Sequence, residues 1–401
     1  MLPRRQSSSV PDIPRPGNRQ HLAAAAHCAI LNNCRPPIPT HMIKPIRFPD
    51  DERAHATIVE WWYFNGHLQD EAGRAYTFMS CLFKADPRRI KLPFFKFLPL
   101  REAYFIHEIV TDLTSGRQYR AVVPLALASA DSFRKPLLHV QVADWTLTAF
   151  PAATYELKTA QLQLRLHSGK PPLLENQTGY LDLGVKTTYY YSLCRLEAEG
   201  ILLLDGRRVP VTGLGWMDHQ WADCGWQPND DIWTWFSLQL DNHLDIVAFR
   251  YGGKVQTTLA TASLRNGILK TTRQVQMEAT GTPWRSAQTG AEYPLEWRLN
   301  FPEFETTLTV TPLAQEQEMV FGPLNYWEGG LNVIGTVRGE SVSGVGFLEL
   351  AGIPVAVGRR QLFEQALQEE VAQRAAQLKH RVAGVAQSQL RTVRRFLPWK
   401  K

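Results

Sequence analysis

The segment GLGWMDHQWADCGW (213–226), with DIWTWF (231–236) just after it, gathers the groups best able to move a proton. Trp216, Trp221, Trp226, Trp233 and Trp235 fall within 20 residues, and Asp218, His219, Asp223, Asp230 and Asp231 lie among them. A carboxyl in an apolar site resists ionisation, so its pKa rises and it can act as an acid near neutrality. Indole faces stabilise nearby positive charge. Together these features suit protonation of a carbon–carbon double bond, shelter of the cation and its capture by water. In that chemistry Asp218 or Asp245 is the acid, His219 orients it or activates water, and Trp221 and Trp235 shelter the cation. The competing reading is a brace of indole N–H groups bonded to carboxylates, with no chemistry at all.

Other constellations are weaker. EWWYFNGHL (60–68) places Glu60, Trp62, Phe64, Gly66 and Leu68 on one strand face, with Trp61, Tyr63, Asn65 and His67 on the other. Glu60 or His67 could reach a cavity, but a capping or surface role is the leading reading. Asp241, His243 and Asp245 flank a turn that starts the next strand, and Asp245, beside Ile246 and Val247, is placed to point inward. The histidines and acids match no metal-ligand spacing, so no metal is expected. GLGWMD is not a dinucleotide loop, because no helix follows it. No G-x-S-x-G elbow and no P-loop occur.

The elements that position these groups read as strands from about 55 to 352. TYELKTAQLQLRLHSG (154–169) alternates with a slip in its middle. ILLLDGRRVPVTG (201–213) predicts two short strands around Asp205-Gly206. Further strands are expected over 103–110, 187–196, 233–240, 244–253, 255–264, 296–301 and 306–313. The body also repeats. VTGLGWMD (211–218) aligns with VSGVGFLE (342–349) at an offset of 131, and EWWYFNGHL with IWTWFSLQL (232–240) at 172. TTYYYSL (187–193) sits where LNYWEGG (324–330) sits in the second copy. Two barrels of one design are the simplest reading. The expected division is a disordered basic extension over 1–46, barrels over 47–225 and 226–355, and a basic amphipathic helix over 356–401.

The chain has 401 residues, 44% of them hydrophobic and 20% charged, which suits a packed core and two domains. No window has eighteen consecutive apolar residues, so no transmembrane helix is expected. The net charge of +6 is uneven: +5 over 1–46, +7 over 356–401 and −6 between them. A mildly acidic body argues against nucleic acid as a partner. The tail from 359 has apolar residues at spacings of three and four and a basic second half ending in Trp399. It predicts a helix that packs on its own barrel, on a second copy, or on an anionic membrane surface. The oligomeric state is open. Cys28, Cys34, Cys81, Cys194 and Cys224 form no C-x-x-C pair, which argues against a disulfide framework. With no convincing signal peptide, a cytoplasmic site is expected, peripheral on a membrane if the helix binds one. Met42 is a possible alternative start.

EWWYFNGHL, GLGWMDHQWAD, WTWFSLQLDN, YWEGGLNVIG and GVGFLEL occur in this order. In that combination the chain resembles the carotenoid 1,2-hydratase (hydroxyneurosporene synthase) and AttH-like superfamily over about 47–352. The resemblance implies an all-β fold of two consecutive lipocalin-like barrels. Such barrels enclose a small apolar ligand. For members that are hydratases, it also implies addition of water, without a cofactor, to the terminal double bond of an acyclic carotenoid. Carried onto this chain, the D-H-x-W element is Asp218-His219-Gln220-Trp221, and the acid of the next strand pair is Asp241 or Asp245. The residues expected at the ligand are Trp62, Trp216, Trp221, Trp233, Trp235, Tyr191 and Trp327. The chain departs from the pattern at Ala222, at Ala351-Gly352-Ile353 and in its basic tail. A non-catalytic carrier of hydrophobic ligands is the alternative on the same fold.

Overall fold

The computed structural model describes residues 43–89, 102–126, 128, 136–184, 186–224, 232–252, 256–321 and 324–358. The expected C-terminal helix, most of the N-terminal extension, Trp226, Asp230 and Asp231 lie outside them. Among the described residues all regular structure is strand, apart from single 3-10 turns at Asp50–Glu52, Glu175–Gln177 and Pro302–Phe304. No helix among them is long and apolar enough to cross a membrane.

The first sheet holds β1 (Val59–Asp70), β2 (Ala75–Ala85), β3 (Ala103–Asp112), β4 (Gln118–Ala126), β5 (His139–Val142) and β6 (Trp145–Phe150). It continues with β7 (Thr154–Lys158), β8 (Leu162–Ser168), β9 (Leu173–Leu174), β10 (Tyr180–Asp182), β11 (Thr187–Leu204) and β12 (Arg207–Ala222). Their order is β4-β3-β2-β1-β12-β11-β8-β7-β6-β5, with β9 and β10 also on β11. A bridge between Ala128 and Val142 brings its two edges together. The second sheet holds β13 (Trp233–Leu240), β14 (Asp245–Tyr251), β15 (Thr257–Ser263), β16 (Leu269–Thr272) and β17 (Gln276–Thr280). A small pair, β18 (Trp284–Arg285) and β19 (Glu292–Tyr293), stands apart. β20 (Glu296–Phe301), β21 (Thr306–Pro312), β22 (Glu318–Phe321), β23 (Leu324–Val337) and β24 (Glu340–Ala351) complete the second sheet. Its order, β16-β15-β14-β13-β24-β23-β21-β20-β17, retraces that of the first. The chain is thus two curled lipocalin-like sheets of one design, in line with the repeats.

Local chemistry explains the strands. β6 and β8 alternate buried and exposed residues, as period two demands. The slip between β7 and β8 is a turn whose Thr159 hydroxyl accepts from the Gln161 and Leu162 N–H groups. Asp205 and Gly206 have φ of 52° and 73°, as the two-residue turn of a twisted hairpin requires. That turn joins strands of 18 and 16 residues rather than the short ones expected. A bulge between Leu193 and Leu196 adds one residue to β11.

Three large apolar cores result, with a small fourth cluster of Ile58, Ala85, Ala103 and Phe105. The inward faces of each barrel carry their own side chains: Trp62, Phe64, Tyr191 and Trp221 in the first, Phe236, Trp297 and Trp327 in the second. The third core lies between the barrels and includes Tyr63, Cys81, Trp216, Trp235, Phe249 and Phe347. At that contact a Cβ on Gly330 would sit 2.6 Å from Thr77 Cγ2 and 3.1 Å from His67 Cε1, so only glycine lets the sheets approach.

Candidate active site between the barrels

Period two decides where the candidate residues go. Along β1, Trp61 and Tyr63 face the second barrel while Glu60 and Trp62 face the first barrel's interior. Along β12, Asp218 pairs with Tyr63 and His219 with Trp62. Asp218 and His219 therefore stand on opposite faces of one sheet. The expected partnership between them is corrected on that ground: His219 neither orients Asp218 nor reaches water beside it.

A cavity of about 220 Å³ opens between the barrels, and Asp218 is in its wall. Trp61, Phe83, Phe105, Trp233, Trp235 and Phe249 supply much of the apolar lining. An apolar cavity of about 150 Å³ accepts benzene, so this space suits roughly nine carbon atoms by proportion. This cavity lies between the barrels, whereas the lipocalin resemblance implied a ligand inside them; among the described residues those interiors hold the two barrel cores.

Asp218 is 4% exposed. Its Oδ1 accepts from Ser192 Oγ at 2.6 Å and Trp216 Nε1 at 2.7 Å, and its Oδ2 accepts from the Tyr190 hydroxyl at 2.7 Å. Trp235 Nε1 donates to that hydroxyl at 2.9 Å. Burial pushes the carboxyl up to about 6 against the pull of these bonds.

Two further acids in the wall come from the second barrel. Glu328 and Glu349 are direct partners across β23 and β24, so their side chains share a face. Glu328 is 2% exposed. Burial and the Glu349 charge raise its pKa well above the usual range, and the Tyr63 hydroxyl bonded to it only partly offsets them. Its Oε1 has no hydrogen-bond partner among the described residues. Burial pushes Glu349 up to about 7 against a bond from the Trp233 indole. His107, also in the wall, lies 2.6 Å from the Tyr326 hydroxyl through Nδ1, and burial lowers it to about 4, so its ring is neutral.

Sequence reading missed both glutamates. Glu349 was within reach, because the 131-residue offset sets it on Asp218. Glu328 was not. The strand registers place it on Ser192, an offset of 136, whereas the aligned segments imply 137. The extra bulge residue in β11 is what lets such offsets drift.

The remaining predicted residues sit elsewhere. Asp245 is fully buried in a clasp between barrels, 2.7 Å from Lys170 Nζ and 2.6 Å from Arg195 Nη2, and is not in the cavity wall. Asp241 is an exposed turn residue accepting from Ser343 N and Oγ. Trp233 and Trp235 line the cavity, and Trp216 touches it through Asp218. Trp62, Tyr191 and Trp221 face the first barrel's interior and Trp327 the second's, where its indole donates to the Gln315 carbonyl.

His219 belongs to a second polar cluster. Its Nε2 lies 2.9 Å from Glu60 Oε1, His55 Nδ1 lies 2.8 Å from the same oxygen, and Lys84 Nζ lies 3.0 Å from Oε2. Burial favours the neutral acid, yet these bonds from His219 and His55, with the charges of His219 and Lys84, hold Glu60 down to about 2. His55 also stacks on Trp221 with centroids 3.9 Å apart. The ligand-capable atoms of His55, Glu60 and His219 lie within 4.8 Å of one another, a grouping invisible in the spacing. The Lys84 ammonium already occupies the carboxylate and repels a cation, so the cluster works as a clamp tying residues 51–55 to the barrel. Cys81 and Cys194 are buried free thiols, and Cys224 is buried as well.

The relatives agree with this architecture. Dehydratase asqC of Emericella nidulans is 23% identical over 205 residues, 47% of this chain, and the match spans 57% of that protein's length. An AttH protein of Nitrosomonas europaea matches in structure with a TM-score of 0.68 and 27% identity, over 79% of this chain and 100% of that one. Kievitone hydratase of Nectria haematococca shares the fold, with a TM-score of 0.63 and 17% identity over 78% of this chain and 94% of that one. With residues 39–353 matching the family profile as well, the chain belongs to the AttH-like family.

Proposed function

We propose that this chain adds water to, or removes it from, a carbon–carbon double bond of a largely apolar substrate in the cavity between its barrels. One observation carries the reading: a buried carboxyl, Asp218, stands in the wall of an aromatic-lined cavity, where burial raises its pKa to about 6. Such a group can both give and take a proton within one cycle. The indoles of Trp233 and Trp235 would shelter the cationic carbon between proton transfer and capture by water. Dehydratase asqC among the relatives supports the same reaction class. The substrate we favour is an isoprenoid, with roughly nine carbons of its reacting end inside. A carotenoid would keep most of its length outside that space.

The test is co-expression in cells that accumulate acyclic carotenes, alongside purified protein with myrcene, a ten-carbon acyclic alkene. A product heavier by one water, lost in Asp218→Asn, supports the reading. Unchanged substrate in both arms, with an active hydratase as control, rejects it. The apolar walls favour a second reading, a carrier of hydrophobic ligands. That reading predicts stoichiometric co-purified ligand, unaltered in mass after incubation.

A further inference from the structure

The cavity contains two kinds of carboxyl, and their surroundings differ in a way that assigns opposite roles. Asp218 receives three donors, from Ser192, Trp216 and Tyr190. Donors of this kind stabilise the ionised form. Among the described residues Glu328 receives the Tyr63 hydroxyl alone, faces a second carboxyl across the strand pair, and leaves Oε1 without a partner though 98% buried. A bare, buried oxygen beside a like charge is where a carboxyl keeps its proton. The duplicated design sharpens the contrast. Glu349 occupies the position of Asp218, and Glu328 that of Ser192, by register. A serine there satisfies its neighbour; a glutamate there breaks the pattern at a cost, as functional sites do.

We propose that Glu328 is the general acid of this cavity and Asp218 its general base, with Glu349 holding the proton on Glu328. The inference rests on the hydration reading for its chemistry. Tyr63 links the two acids, pairing with Asp218 across β1 and β12 and donating to Glu328. In hydration the Glu328 Oε1–H bond breaks, and its proton and the alkene π pair form a new C–H bond. The neighbouring carbon, now cationic, takes a lone pair from water to form the C–O bond. That water then loses a proton to Asp218 Oδ2, which among the described residues accepts only the Tyr190 hydroxyl and retains a lone pair. The proton travels back to Glu328 through cavity water, so no oxidant or co-reactant is consumed. Dehydration runs the same steps in reverse. The other titratable groups lining the same cavity are Glu60, Tyr63, Cys81, Lys84, His107, Lys186, Tyr190, Asp218, Tyr251 and Tyr326.

The test reads protonation directly, by infrared difference spectroscopy of the carboxylic C=O band at pH 7.5 on the full-length protein. Glu328→Gln is expected to remove a protonated-acid band that Asp218→Asn leaves in place. Glu349→Gln, which keeps Glu328, is expected to move that band's titration to lower pH, because a like charge has gone. If Asp218→Asn removes the band and Glu328→Gln does not, the roles are reversed and the proposal falls. The kinetic arm uses myrcene. Glu328→Gln is expected to lower kcat at least about 100-fold with folding intact, and the alkaline limb of the pH–rate profile to shift down in Glu349→Gln. Turnover sensitive to Asp218→Asn but indifferent to both glutamates overturns this proposal while leaving the hydration reading standing. No turnover of myrcene in any protein, with the co-expressed carotenes also unchanged, rejects the hydration reading and the catalytic roles with it, while the infrared assignment still decides which carboxyl keeps its proton.

Discussion

Replacing Asp218 with asparagine should stabilise the protein, and by an amount that depends on pH. The side chains are isosteric. Asparagine Oδ1 can still accept from Ser192 and Trp216, and its amide can donate to the Tyr190 oxygen. What disappears is the charge. Burial raises the Asp218 carboxyl from 3.8 to about 6. Below pH 3.8 the group is protonated in both folded and unfolded chains and has no effect. Between 3.8 and about 6 the unfolded chain releases its proton while the folded chain retains it, so wild-type stability falls as pH rises. Above about 6 the full cost is present, about 3 kcal/mol at about 1.4 kcal/mol per pH unit. Chemical denaturation at pH 4.5 and pH 8 measures it. The Asn variant should gain at least about 2 kcal/mol on wild type between those two values, because loss of the Asp218 charge also lowers Glu328 and Glu349 toward their ordinary range. A gain under about 0.5 kcal/mol would show that Asp218 ionises freely in the fold. The account of it as a proton-transferring group would then be refuted with it.

The clamp and the clasp predict losses instead. Glu60, held down from 4.5 to about 2, stabilises the fold above pH 4.5 and loses that contribution as pH falls toward 2. Glu60→Gln should therefore cost about 3 kcal/mol at pH 7 in urea denaturation, and the gap should close on acidification. Asp245→Asn strips the partner from Lys170 and Arg195 and should cost about 3 kcal/mol or more. An unchanged midpoint would show that this ion pair does not hold the barrels. Gly330→Ala should cost about 1–3 kcal/mol by thermal denaturation, because its Cβ would press on Thr77 and His67.

Much of the architecture was legible in the chain. The ends of strands such as β13 and β20 fell where the sequence placed them, and the Asp205-Gly206 turn was where its φ values require. The two faces of β1 were separable by counting. These are local properties: a strand's period and a turn's sterics depend on neighbours within a few residues. Even the duplication is visible by offset, and through it Glu349 could have been found.

The site was another matter. Adjacency in sequence suggested that Asp218 and His219 act together, but in a strand adjacent residues are the pair most certain to be parted. Which face looks onto a cavity depends on how the second barrel docks on the first. So does the rise in the Asp218 pKa, since burial by β13 and its neighbours strips away the water. Asp245, promising as an inward acid, found Lys170 and Arg195 from the other barrel and became a fastener. Glu328 carried no signal in its own segment; only a register fixed by hydrogen bonds between strands set it opposite Glu349 and beside Tyr63. The sequence by itself determined the strands, their faces and their repetition, because those follow from short-range geometry. The tertiary structure decided which acids meet in one cavity and which keep their protons, because proximity and desolvation there come from strand register and from the docking of one barrel on the other.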